Sequence, residues 1–115
     1  MDVPEISPKD FSQKLAAGEL LVVLDVREPY EVAWVKLDDP RVVFAPMSKL
    51  GSLGLNALPV TATDPEEEIV VVCHHGVRSA QVTAWLQAQN WQRVFSLEGG
   101  LDAYALQVDP SIGRY

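Results

Sequence analysis

Apolar residues along this 115-residue chain fall into two kinds of run. Leu20–Leu24, Val42–Phe44, Ile69–Val72 and Val94–Leu97 are short and dominated by branched or aromatic side chains. Such runs predict strands covered on both faces, which have no solvent side to keep polar. Between them lie stretches with helical spacing. Ser7-Pro8-Lys9-Asp10 predicts a helix start: Ser7 can cap, proline suits the first turn, and Asp10 complements the dipole. Phe11, Leu15 and Ala16 give that helix its apolar stripe, and Gly18 can end it. Glu28-Pro29-Tyr30-Glu31 predicts a turn into a short helix carrying Val32 and Trp34. Ser79–Gln89 predicts a longer helix with Val82, Trp85 and Leu86 on one face. Gly99-Gly100 opens a helix carrying Leu101, Ala103, Tyr104 and Ala105. The stretch from Pro46 to Pro65, punctuated by Gly51, Gly54, Asn56 and Pro59, predicts a loop with one helical turn at Met47–Leu50. Glu66-Glu67-Glu68 reads as a solvated lead-in to a strand, and Val108–Tyr115 as coil on the surface. Trp34, Trp85 and Trp91 are expected to pack in the core or at its rim. Strands alternating with helices predict an α/β fold of three layers around a mostly parallel sheet, with residues 1–115 forming one domain.

Composition narrows the chemistry. Nine Lys and Arg stand against 16 Asp and Glu, for a net charge of −7, which argues against a nucleic-acid binder. The opening Met1-Asp2-Val3-Pro4-Glu5 is acidic and polar, so no secretory leader is expected. No apolar run approaches the ~20 residues that span a bilayer. The single cysteine allows no internal disulfide, no Cys-x-x-Cys redox pair and no Cys-rich zinc site. His74 and His75 are adjacent and do not complete a metal site. A cytoplasmic, monomeric protein is expected, with no cofactor, no metal and no membrane partner.

That one thiol stands in an informative place. Ligands of an open α/β sheet gather beyond the carboxyl ends of its strands, and Cys73 follows the run Ile69–Val72. Cys73-His74-His75-Gly76-Val77-Arg78 is a six-residue loop leading into a helix. Its backbone N–H groups can curl inward into an anion-binding nest at the helix N-terminus. Gly76 supplies the freedom for the curl, and Arg78 adds a planar fork suited to tetrahedral oxyanions. A thiol there is expected to titrate below the free value of about 8.5 and to act as a nucleophile. His74 and His75 have two readings: protonated, they would favour a thiolate and steer anions; otherwise both face solvent and shape the rim. Asp25 and Arg27 would pair at the end of their strand, or Arg27 would reach the mouth of the site.

The loop Cys73-His74-His75-Gly76-Val77-Arg78-Ser79 resembles the active-site loop of rhodanese-domain sulfurtransferases. Asp25-Val26-Arg27-Glu28 is similar to the family's Asp-x-Arg segment. Leu97-Glu98-Gly99-Gly100-Leu101-Asp102-Ala103-Tyr104 resembles its Gly-Gly-x-x-Ala-Trp segment, with Tyr104 in place of tryptophan. The resemblance runs from Ile6 to Tyr115. It departs from the family at Ala33-Trp34-Val35-Lys36-Leu37, where a Gly-His-Ile-x-Gly-Ala stretch is usual, and so gives no backbone path for residues 33–41.

The resemblance implies a five-stranded sheet and a thiosulfate sulfurtransferase working through a persulfide on Cys73. Residues 74–79, namely His74, His75, Gly76, Val77, Arg78 and Ser79, would bind the donor, with Asp25 and Arg27 in secondary roles. Cyanide, a thiol, or a thioredoxin-like or sulfur-carrier protein would accept the sulfur. Phosphatase or arsenate-reductase chemistry is the enzymatic alternative. Those loops are Cys-x5-Arg, whereas Cys73 to Arg78 is Cys-x4-Arg, a smaller cradle. A non-catalytic persulfide-binding or interaction module is the third reading.

Overall fold

A computed structural model describes residues 3–115; Met1 and Asp2, part of the acidic opening, lie outside it. The elements in chain order are β1 (Glu5–Ile6), α1 (Pro8–Ala16), β2 (Val22–Asp25), α2 (Pro29–Val32), β3 (Val42–Phe44), α3 (Met47–Leu53), β4 (Ile69–Val72), α4 (Val77–Ala88), β5 (Val94–Leu97) and α5 (Gly100–Gln107). Short 3₁₀ turns occupy Gly54–Ala57, Val60–Ala62 and Pro110–Ile112.

The five strands form one sheet in the order β1-β5-β4-β2-β3, every pair parallel. The sequence predicted a mostly parallel sheet, and among the described strands it is wholly so. From β2 the chain moves outward to β3, crosses back to β4, and then moves the opposite way to β5. The strand order therefore reverses between β2 and β4. In sheets of this kind the crevice at that reversal, beyond the carboxyl ends, is where a ligand fits. Arg27 and Cys73 lie just past the ends of these two strands.

Side chains alternate across the sheet and build a core on each face. Val22, Leu24, Ile69 and Val71 pack with Leu50, Val82 and Leu86 on one side. Val23, Val70 and Val72 pack with Phe11, Leu101 and Tyr104 on the other. Both faces of β2 and β4 are thus buried, which is why their sequences carry unbroken apolar runs. α1 starts as predicted: Ser7 Oγ accepts from the Asp10 N–H at 3.1 Å, and Gly18 turns at φ +69°.

Several sequence expectations need correction. Leu20 is 92% exposed, so the apolar run is longer than the strand, which begins at Val22. β3 is an edge strand and only half covered. Its apolar run reads like that of a central strand because periodicity carries no information on pairing order. β1 escaped prediction because two residues make no pattern. The turn at Met47–Leu50 extends to a helix through Leu53, and α4 begins at Val77 rather than Ser79. Glu68 is buried, not solvated. Its carboxylate meets Lys14 Nζ at 3.4 Å and Arg93 Nη2 at 3.5 Å, so two cations offset its desolvation. Segment 33–41 runs as coil, with Val35 and Leu37 buried. Arg41 anchors it, gripping Asp39 and donating to the Leu15 and Glu19 carbonyls, each at 3.0 Å.

Candidate active site

Cys73 is the first residue after the central strand β4, and it is 1% exposed. The backbone then curls, with Gly76 at φ +95° as the residue before α4. This left-handed turn aims two N–H groups back at the sulfur: Gly76 donates to Sγ at 3.1 Å and Ser79 at 3.3 Å. Ser79 Oγ lies 3.4 Å from Sγ, where its hydroxyl can donate to a thiolate or accept from a thiol. Behind it, Ser96 Oγ on β5 lies 2.8 Å from Ser79 Oγ. Both serines are fully buried.

The floor of the loop is the start of α5. The Leu101 N–H donates to the Cys73 carbonyl at 2.9 Å, and the Asp102 N–H to the His74 carbonyl at 3.0 Å. Gly100, at φ +66°, leaves no room for a side chain, since a Cβ would strike the His74 carbonyl group. Gly76 in turn passes so close to Gly99 that a Cβ would stand 3.1 Å from the Gly99 nitrogen. The Gly99-Gly100 pair, which the sequence marks as a helix opening, is therefore also the seat of the Cys73 loop.

The wall comes from the β2 side. Arg27 is fully buried; its Nε donates to Asp25 Oδ1 at 3.0 Å and its Nη2 to Oδ2 at 2.8 Å. The Asp25–Arg27 pair is thus an internal brace at the strand end. Arg27 Nη1 also donates to the Tyr115 hydroxyl at 3.2 Å, and that hydroxyl donates to Glu31 Oε2 at 3.0 Å. Glu31 grips Arg78 with both oxygens: Nη1 donates to Oε1 at 2.6 Å and Nη2 to Oε2 at 2.7 Å. These bonds, led by those from Arg78, hold the Glu31 carboxyl down at about 2. Arg78 is raised in turn, chiefly by its hydrogen bonds to Glu31.

Neither reading of the two histidines fits His74. Its ring stacks on Tyr115 at 3.8 Å between centroids and 14° between planes, with His75 on its other neighbour contact at 3.8 Å. Its Nε2 is buried without a partner. Burial first, then the neighbouring His75, pushes the imidazole below its ordinary value, which favours the neutral ring, and the stack on Tyr115 makes it a packing group. His75 is exposed, with Nδ1 3.8 Å from Asp102. Val77 is exposed at the rim. Trp34 is exposed and packs on Tyr30 and Tyr115, while Trp91 is buried and donates to the Ala62 carbonyl at 3.3 Å.

Sequence reasoning missed Glu31, Ser96 and Tyr115. The tail expected as surface coil makes a 3₁₀ turn at Pro110–Ile112 and then delivers Tyr115 into the site wall. The sequence signal that could have found Glu31 is the capping-box spacing Glu28-x-x-Glu31, in which the Glu28 N–H donates to Glu31 Oε1 at 3.3 Å.

Residues 7–107 match the family model of the rhodanese-like domain. The chain belongs to the rhodanese-like family. Among its relatives, a sulfurtransferase of Allochromatium vinosum is 30% identical over 105 residues, covering 90% of this chain and 89% of that protein. The chloroplastic rhodanese-like/PpiC domain-containing protein 12 of Arabidopsis thaliana is 38% identical over 93 residues. That match covers 81% of this chain but 30% of the Arabidopsis protein, so this rhodanese-like chain corresponds to a minor part of it. The crystal structure of a rhodanese-like domain protein from Staphylococcus aureus superposes with a TM-score of 0.74 at 26% identity, covering 97% of this chain and 98% of that one. The rhodanese-like fold, with its parallel five-stranded sheet, is thus shared over essentially the described length.

Proposed function

We propose that this chain is a sulfurtransferase whose nucleophile is Cys73, acting as one domain in a reducing compartment such as the cytoplasm. The observation that carries the reading is the convergence of the Gly76 N–H, the Ser79 N–H and the Ser79 hydroxyl on Sγ. These donors suit a sulfur anion, first the thiolate and then the terminal sulfur of a persulfide. Kinship with a named sulfurtransferase supports the same chemistry.

The donor is thiosulfate or a related sulfane-sulfur compound. The Cys73 thiolate attacks its outer sulfur; an S–S bond forms, the bond to the sulfonate sulfur breaks, and sulfite departs with the electron pair. An acceptor nucleophile, cyanide in an assay and a thiol or sulfur-carrier protein in a cell, takes the outer sulfur and returns Cys73 to the thiolate. The covalent intermediate divides one transfer into two displacements and requires only this chain's own groups. The loop N–H groups hold charge on sulfur, while Arg78, with two N–H bonds committed to Glu31, turns its remaining ones toward the donor. His75 and Val77 stand at the rim.

Intact-mass spectrometry after thiosulfate treatment tests this. The expected result is a gain of one sulfur atom on Cys73 that cyanide removes, and its loss in Cys73→Ser. Brisk hydrolysis of an aryl phosphate with no gain of sulfur from any donor would overturn the assignment and favour the phosphatase alternative.

A further inference from the structure

Resting on the sulfur-transfer reading, the geometry points to Glu31 as a specificity-determining residue that turns the site away from dianionic donors and toward sulfane-sulfur donors of lower charge. Arg78 is the only lysine or arginine of the loop Cys73–Ser79, and Glu31 meets it through two short parallel hydrogen bonds of 2.6 and 2.7 Å. A fork-to-fork pair of this kind is geometrically fixed as well as strong. The carboxylate is further pinned, since Oε1 accepts from the Glu28 N–H at 3.3 Å and Oε2 from the Tyr115 hydroxyl at 3.0 Å. Its side chain is 7% exposed against 30% for Arg78, so the acid is the buried partner and the arginine the one facing outward.

The Lys, Arg, Asp and Glu charges closest to the loop are paired off, Arg114 with Asp102 beneath it among them. Asp25 cancels Arg27 in the buried brace, and Glu31 cancels Arg78. The whole chain carries −7 and offers no compensating field. An incoming donor thus meets oriented N–H dipoles but no net positive charge. Thiosulfate must bring two negative charges against a thiolate, whereas a thiosulfonate or alkyl persulfide brings one. In poorly screened surroundings that second charge decides between donors. Glu31 touches no reacting atom and acts by its charge, which offsets that of Arg78 at the mouth of the loop, so it sets specificity without being a catalytic residue.

Thiosulfate and methanethiosulfonate share the same transferable sulfur and sulfonyl oxygens but differ by one charge, so the ratio of their kcat/KM values reads the effect directly. Against the parent protein, Glu31→Gln is expected to raise the thiosulfate-to-methanethiosulfonate ratio by about fivefold or more, mainly through a lower KM for thiosulfate. Arg78→Gln, which leaves Glu31 uncompensated, is expected to lower it, and the double variant Glu31→Gln with Arg78→Gln is expected to return it close to the parent value. Glu31→Asp, which keeps the charge, should stay nearer the parent than Glu31→Gln. An unchanged or lower ratio in Glu31→Gln overturns the proposal, as does an elevated ratio in the double variant. If Glu31→Gln fails to fold, the cycle still decides, because a double variant no higher than Arg78→Gln also overturns it. Mass spectrometry of the parent separates the two levels: no sulfur gained on Cys73 from either donor defeats the sulfur-transfer reading, while sulfur gained with a flat ratio defeats only the role of Glu31.

Discussion

At the scale of single residues, the Cys73 sulfur rests on a buried pair of hydroxyls. Ser79 and Ser96 form a fully buried hydroxyl pair at 2.8 Å, with Sγ 3.4 Å from the first. Ser79→Ala removes one donor from the sulfur and strands the Ser96 hydroxyl, so it should lower kcat/KM for sulfur transfer by about tenfold and cost about 1–3 kcal/mol of stability. Adding Ser96→Ala should recover most of that stability, because removing both partners of a buried hydrogen bond is far milder than removing one. Activity should stay low. Urea unfolding and steady-state rates on the two variants check both statements. Gly100→Ala is a harsher change. It forces φ +66° on an L side chain and drives a methyl into the His74 carbonyl, so a loss of about 2 kcal/mol or more is expected in thermal or urea melts.

At the scale of elements, the site is three segments brought together at strand ends: Asp25–Glu31 from the last residue of β2, Cys73–Ser79 after β4, and Gly99–Asp102 after β5. Tyr115 locks the first to the second. Tyr115→Phe keeps the stack on His74 but removes the hydroxyl between Arg27 and Glu31, and about 1–2 kcal/mol of stability should go with it. How much of this was legible follows from the kind of signal involved. The covered strands β2 and β4 announce themselves because both faces are apolar, and the Cys73 loop because a glycine and an arginine follow a strand-end thiol. The edge strand β3 and the buried Glu68 were misread, since edge position and ion pairing depend on segments distant in sequence. Tyr115 and Ser96 carry no local pattern at all. Their roles exist only after the sheet has set β5 beside β4 and the tail has crossed to β2.

At the scale of the whole molecule, stability should follow pH through groups held below their ordinary values: His74, Glu31, and also Asp39 and Asp102, which Arg41 and Arg114 depress. His74 is held neutral by burial and by His75; the unfolded chain protonates it more readily, so folding weakens as pH falls below about 6.5. Glu31 is held near 2 by Arg78. Its contribution is complete above about 4.5 and disappears as pH falls toward 2, and it amounts to up to about 3 kcal/mol. Urea midpoints should therefore decline in two stages on acidification, and Glu31→Gln should make the lower stage smaller. The burial of Cys73, at 1% exposure, carries a further consequence. With a single cysteine in the chain, a thiol-alkylating reagent labels one atom, and that atom is shielded until its loop moves. The labelling rate at rising reagent concentration is then a clock for loop opening. It climbs while closure outruns capture and levels off at the opening rate itself. Comparing that plateau with the rate at which Cys73 gains sulfur from a donor tells whether the motion or the chemistry is the slower step.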